Sequence, residues 1–173
     1  DRGLKQVNIH FMICEETCDL AYEIMADKLT DPRLEKLNAI VLLSLKPKGR
    51  ASKSDYTRLS QEKFTALVDF ALCNKIGIGF DSCGCGKFVD AIKNSPDAEK
   101  YMQMAEPCES GLFSSYFNTE GKFFPCSFAE GSEGWEDGID IIHSDTDLWN
   151  SPRVLEWRKK LLGCKRSCPM YNI

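Results

Sequence analysis

Nine cysteines in 173 residues are the part of this sequence best suited to chemistry. Thiolates bind soft metals and redox clusters, while protonated thiols pack as small hydrophobes. Cys108, Cys126, Cys164 and Cys168 stand at element ends or in loops rather than on apolar faces. Glu106-Pro107 precedes Cys108, Pro125 precedes Cys126, and Lys165-Arg166-Ser167 separates Cys164 from Cys168. Four thiolates are the standard demand of a structural zinc or of a 4Fe–4S cluster. The absence of any CxxC pair argues against a zinc ribbon, but composition leaves both metals open. Cys83 and Cys85, in FDSCGCGKF, are weaker candidates. Their flanking glycines allow close backbone approach, and they follow a predicted parallel strand, where sites form. Cys14, Cys18 and Cys73 read as buried small hydrophobes. The odd cysteine count, with no secretory signal in view, favours thiols or metal ligands over a disulfide framework.

The elements that must position these residues follow two grammars. Val7–Ile13 and Ala39–Leu45 read as buried strands, the second as one covered on both faces. Between them, Leu20, Ala21, Ile24, Met25 and Leu29 predict one face of a helix over residues 15–28. Phe64, Leu67, Val68, Ala71 and Leu72 make a second amphipathic stripe, which Ser60 can cap. A short strand, IGIGF, follows at 76–80. Strand, helix, strand, helix, strand is the order of a parallel α/β sheet or barrel. Beyond Ser95-Pro96 the pattern changes. A short helix reaches Ala105, then come Cys108, a hairpin over YFNTEGKFFPCSF, an acidic loop from Glu130 to Asp147 containing a strand GIDII, and a last helix. That helix starts at Ser151-Pro152, carries Val154, Leu155, Leu161 and Leu162 on one side, and stops at Gly163. The boundary is set at 94/95, giving domains of residues 1–94 and 95–173.

A formal net charge of −4 gives no general attraction to nucleic acid or an anionic membrane. No apolar run approaches the roughly 20 residues of a membrane span. The expectation is a cytoplasmic protein with no nucleic-acid or membrane partner. Opening on DRGLKQVNIHF, without Met, the chain reads as a piece whose N-terminal part is missing. The acidic loop lacks the alternating ligand order of a calcium loop and reads as solvated, with the basic helix and tail (Arg153, Arg158, Lys159, Lys160, Lys165, Arg166) as its intramolecular partner. His143 reads as a surface residue.

Cys108, twelve residues, Gly121, four residues, Cys126 resembles the first half of the auxiliary-cluster motif of radical SAM enzymes with SPASM or twitch domains. LWNSPRVLEWRKKLLGCKRSCP resembles the helix that leads into that family's closing cysteines. VNIHFMI and AIVLLSLKPKGRA look like the last strands of its partial barrel. The resemblance implies the C-terminal part of a partial (β/α) barrel followed by a small α+β cysteine-rich auxiliary-cluster domain. It implies Cys108, Cys126, Cys164 and Cys168 as ligands of one auxiliary 4Fe–4S cluster, with Cys83 or Cys85 able to replace one. It further implies a small-molecule or peptide substrate and an electron donor protein. The family's CxxxCxxC loop, which holds the catalytic cluster and binds S-adenosylmethionine, does not occur in this sequence: Ala21 stands where Cys14 and Cys18 would need a third cysteine. S-adenosylmethionine and a second cluster are therefore expected only with a preceding part. His10, in the first strand, is either a structural histidine or a contact to that cofactor. Phe113, Phe117, Phe123, Phe124 and Phe128 are either hairpin packing or a screen that keeps water from the cluster, and the N–H groups of Gly84, Gly86 and Gly111 are candidate donors to sulfur. Two rivals stay open: a zinc-stapled α/β binding module without redox chemistry, and a remnant whose thiols stay free.

Overall fold

A computed structural model describes residues 3–49, 51, 56–143 and 147–171. It is mixed α/β and divides into two compact units between Glu106 and Pro107. The division falls later than 94/95 because the short helix α4 (Ala98–Met102; the others are numbered below) packs backward. Tyr101, Met102 and the buried Ala105 all join the core of the first unit.

The first unit holds three parallel strands in sequential order, β1 (Asn8–Ile13), β2 (Ala39–Ser44) and β3 (Ile78–Phe80). The register places Ile9, Ile40 and Ile78 in one row and Phe11, Leu42 and Phe80 in the next. These residues share one face of the sheet. There they meet the apolar stripes of α1 (Cys18–Thr30), α2 (Gln61–Cys73) and α3 (Cys85–Ile92) in a single core. In α2 the stripe is the expected one: Phe64, Leu67, Val68 and Ala71 are buried, and Ser60 Oγ accepts from the Lys63 N–H at 3.3 Å. In α1 it is Cys18, Ala21 and Met25 that are buried, while Leu20 and Leu29 face water. A 3-10 turn over Glu15–Thr17 leads into that helix, and Tyr22 and Ile24 pack beside the buried line.

Among the described residues, the other face of the sheet belongs to no core cluster. His10 and Met12 are exposed there, beside the half-buried Val41 and Leu43. Covering on both faces, expected for β2, is therefore found on one face among the described residues. Cys73, expected in the core, is exposed at the last residue of α2. At the ends of the strands, Lys46 pairs with Asp81, and Asp81 Oδ1 accepts from the Gly84 N–H at 2.9 Å, capping the turn into α3. The expected KPKGRASKS loop leaves β2 here. Its Arg50 and residues 52–54 lie outside the described residues.

The second unit has an antiparallel sheet, β4 (Tyr116–Phe117), β5 (Lys122–Phe124) and β6 (Ile139–Asp140), and one helix, α5 (Pro152–Gly163). The hairpin turn is built by Asn118, whose side-chain oxygen accepts from the N–H groups of Glu120 (3.0 Å) and Lys122 (2.9 Å). Gly121 completes it at φ 70, a conformation that costs glycine little. In α5 the buried side chains are Val154, Trp157 and Leu161; Leu155 and Leu162, expected with them, are exposed. Among the described residues no helix is long and apolar enough to cross a membrane.

These packing differences are measurable by urea unfolding. Leu67→Ala, at a fully buried position, is expected to lower the unfolding free energy by about 2–5 kcal/mol. His10→Ala, on the uncovered face, is expected to change it by less than about 0.5 kcal/mol.

Candidate functional site

The four loop cysteines all lie in the second unit, and named bonds draw three of them together. Two residues beyond Cys108, the buried Ser110 donates its hydroxyl to the carbonyl of Pro125 at 2.9 Å. Pro125 is the residue before Cys126, so this bond sets the Cys108 loop beside the end of the hairpin. From the other side, α5 clamps the same loop. Trp157 Nε1 donates to Ser110 O at 3.1 Å, and Arg158 Nε donates to Gly111 O at 2.6 Å. Gly111 sits at φ 66, and a Cβ there would meet Trp157 Cδ1 at 2.9 Å, so the indole needs glycine at that point.

The tail brings in Cys168. Tyr171 donates its hydroxyl to Phe128 O at 3.1 Å and meets the Phe128 ring edge-on, with centroids 6.5 Å apart. Phe128 lies two residues after Cys126, and Tyr171 three after Cys168, so this contact returns the tail to the hairpin end. The link from α5 is tight: the Cys164 carbonyl accepts from the Ser167 N–H at 2.9 Å. Lys165 (φ 47) and Arg166 (φ 75) turn left-handed between them. The helix ends at Gly163, as expected, but the left-handed backbone after it is supplied by these two side-chain-bearing residues rather than by the glycine.

The thiols feel one another. Burial pushes the Cys108 thiol above its ordinary value of 9.0, a hydrogen bond from the Ser110 backbone opposes this, and the neighbouring Cys126 and Cys168 raise it further. All four cysteines are half-buried, and none of the nine, all described, is in a disulfide. Among the described residues no three His, Cys, Asp or Glu side chains already stand close enough to hold a metal ion. Cys108, Cys126 and Cys168 thus share a neighbourhood without a closed ligand shell, and the bonds that gather them do not include Cys164.

The remaining candidates are placed differently. Cys85 is completely buried in the core of the first unit, the surroundings of a packing residue, and Cys83 is half-buried in the 3-10 turn before it. His10 is exposed on the open sheet face. Phe123 and Phe124 are buried, but Phe113 (84% exposed) and Phe117 (51%) face solvent and screen nothing. The N–H groups of Gly84 and Gly111 are already bonded, to Asp81 and to Ser114 O, and Gly86 lies within α3. His143 is exposed beside Asp140, and residues 144–146 of the acidic loop lie outside the described residues.

The sequence pointed to Arg153 and Arg158 only as part of a basic tail. In the structure each is a clamp whose partners are mainly backbone carbonyls rather than carboxylates: Arg153 holds Gly134 O and Gly138 O, and Arg158 holds Gly111 O. Trp157, between the two in sequence, was not singled out. Its signal was the i, i+3, i+7 spacing of Val154, Trp157 and Leu161.

Compared with protein-family models, curated proteins and solved structures, the chain matches none.

The raised thiols set a pH dependence. Cys18 and Cys108 both have folded values above 9.0, so the fold binds more protons than the unfolded chain at alkaline pH. Their contribution is complete below about pH 9 and declines as pH rises beyond it. Native Cys108 is therefore expected to react with iodoacetamide more slowly at pH 8 than in urea, as peptide mass spectrometry after partial labelling would read out. Equal rates would contradict the shielded, neutral thiol.

Proposed function

We propose that this chain is the C-terminal portion of a radical SAM enzyme, and that its second unit holds an auxiliary 4Fe–4S cluster on Cys108, Cys126, Cys168 and Cys164. The observation that carries the proposal is the convergence of Cys108, Cys126 and Cys168 from three separate segments, tied by Ser110–Pro125 and Tyr171–Phe128. The donor set fits: four thiols on loops are the ligands such a cluster takes. Metal binding itself closes such loops, since ligand shells form with the metal rather than before it.

Two further features support the same reading. The sheet of the first unit has consecutive parallel strands, helices on one face and, among the described residues, an opposite face outside the core. A segment of a partial (β/α) barrel has this form, with the uncovered row of His10, Met12, Val41 and Leu43 as its inner surface. Second, Arg158 Nη2 is buried with no hydrogen-bond partner while Nε holds Gly111 O. A spare cationic donor beside the Cys108 loop suits a site that gathers negative charge. When bound, the cluster supplies one-electron chemistry; the chain's own residues bind it, and Phe123, Phe124 and Trp157 keep water from that side. The substrate is a small molecule or a peptide, and an electron donor protein is the partner.

Anaerobic reconstitution of the purified chain with iron and sulfide tests the proposal. About four irons per chain and a broad visible absorption are expected, and Cys126→Ser is expected to abolish both. A colourless protein that retains one zinc would replace the redox reading with that of a zinc-stapled binding module. A protein that takes up neither metal would remove both.

A further inference from the structure

We infer that the first unit binds a phosphate monoester at the C-terminal edge of its parallel sheet, against Ser44, Arg58 and Lys87. Adjoining spaces open there. A small recess of about 10 Å³ is lined by Ile13, Ser44, Leu45, Arg58, Leu59 and Lys87. Beside it, a cleft of about 390 Å³ is lined by Leu45, Pro47, Tyr56, Thr57 and Arg58. Leu45 and Arg58 belong to both linings and form the shared wall. The carboxyl ends of parallel strands are where α/β sheets take their ligands. Here β1 and β2 end on Ile13 and Ser44, which both reach the recess.

The polar groups of the recess are set up for a partner they lack. Ser44 lies on the same face of β2 as Ile40 and Leu42 and is only 8% exposed. Its hydroxyl makes no hydrogen bond with another described residue, and a buried polar group left unpaired is costly. Lys87, in the first turn of α3, donates to the Leu59 carbonyl and has donors to spare. Burial holds its ammonium below the ordinary value of 10.5; the charge of Arg58 adds to that effect and Glu15 opposes it. The two cations therefore stand close enough to repel one another.

The charge of the site is positive. Among the described residues no Asp or Glu lines the recess or the cleft. Carboxylates on adjoining segments are engaged elsewhere: Asp81 pairs with Lys46, Glu15 pairs with Lys63, and Glu16 accepts from the Thr57 N–H at 3.0 Å. Outside the described residues, Arg50 and Lys53 against Asp55 leave the sign of the loop positive. An oxyanion answers both cations and the hydroxyl at once. A phosphate monoester carries close to two negative charges at neutral pH, which matches the pair, whereas a carboxylate carries one. The recess has room for about one water, and so for one phosphate oxygen. The guanidinium of Arg58, on the shared wall, suits the remaining oxygens. The ester's organic part then lies in the cleft, whose volume is that of a small-molecule site, with Tyr56 and Pro47 as its apolar wall.

The site shares no residue with the cysteine loops and lies in the other unit, so it and the cluster are tested separately. Isothermal titration of the full chain, without iron, compares phenyl phosphate with benzoate, which offers the same ring on a carboxylate. Phenyl phosphate is expected to bind at least about tenfold more tightly and to lose affinity with added salt. Arg58→Gln and Lys87→Gln are each expected to weaken it about tenfold, and Ser44→Ala about threefold. Lys48→Gln, on the same loop but in neither lining, is expected to change it by less than about twofold. Far-ultraviolet ellipticity checks that each variant is folded; if Lys87→Gln is not, Arg58→Gln and Ser44→Ala decide. Benzoate binding as tightly, no binding of phenyl phosphate at millimolar concentration, or unchanged affinity in the folded Arg58 and Ser44 variants would overturn the inference. Inorganic phosphate binding as tightly as phenyl phosphate would overturn the assignment to an ester.

Discussion

The hydrogen bond from the Trp157 indole to the Ser110 carbonyl is the constraint on which the second unit depends. It is buried, and it joins the end of one chain segment to the middle of a helix 47 residues away. Everything near the cysteines is arranged around it. Gly111 has no side chain because the indole occupies that space. Arg158, one residue along the helix, takes the next carbonyl, and Ser110 itself turns its hydroxyl to the hairpin end. With three short strands and one helix, the unit has few apolar contacts to spare. An unsatisfied buried carbonyl costs about 1–3 kcal/mol, a large fraction of what a domain of this size can supply.

Much of the first unit was legible from sequence because its order comes from periodicity. The α2 stripe and its Ser60 cap follow directly from spacing and local hydrogen bonding. What periodicity does not reveal is how many faces of a strand are covered. The run AIVLLSL is apolar at every position but Ser44, yet of its members only Ile40 and Leu42 belong to the core shared with the helices, while Val41 and Leu43 lie on the other face. In α1 the core line runs i, i+3, i+7 along Cys18, Ala21 and Met25, which leaves Leu20 and Leu29 beyond the edges of the stripe, on the water side.

The candidate site was legible in its cysteines and illegible in its supports. Cys108, Cys126, Cys164 and Cys168 stood out because they fall where packing does not ask for them. Cys85 shows the limit of that logic, since flanking glycines made an ordinary core residue look exposed to chemistry. The supporting bonds run mostly from side chains to distant backbone carbonyls, and a carbonyl carries no sequence signature. For that reason Ser110, Trp157 and Tyr171 were invisible as positioning residues; Arg153 does reach the acidic loop, as expected, but through the carbonyls of Gly134 and Gly138, and Arg158 reaches Gly111 O.

All three tryptophans, Trp135, Trp149 and Trp157, lie in the second unit. Among the described residues, four of the five α-helices lie in the first. The protein therefore carries two separable optical signals of its own: indole emission reports one unit, while far-ultraviolet ellipticity is weighted to the other. A denaturation followed by both at once would tell whether the two halves melt as a single cooperative body or in succession, with no label attached to either.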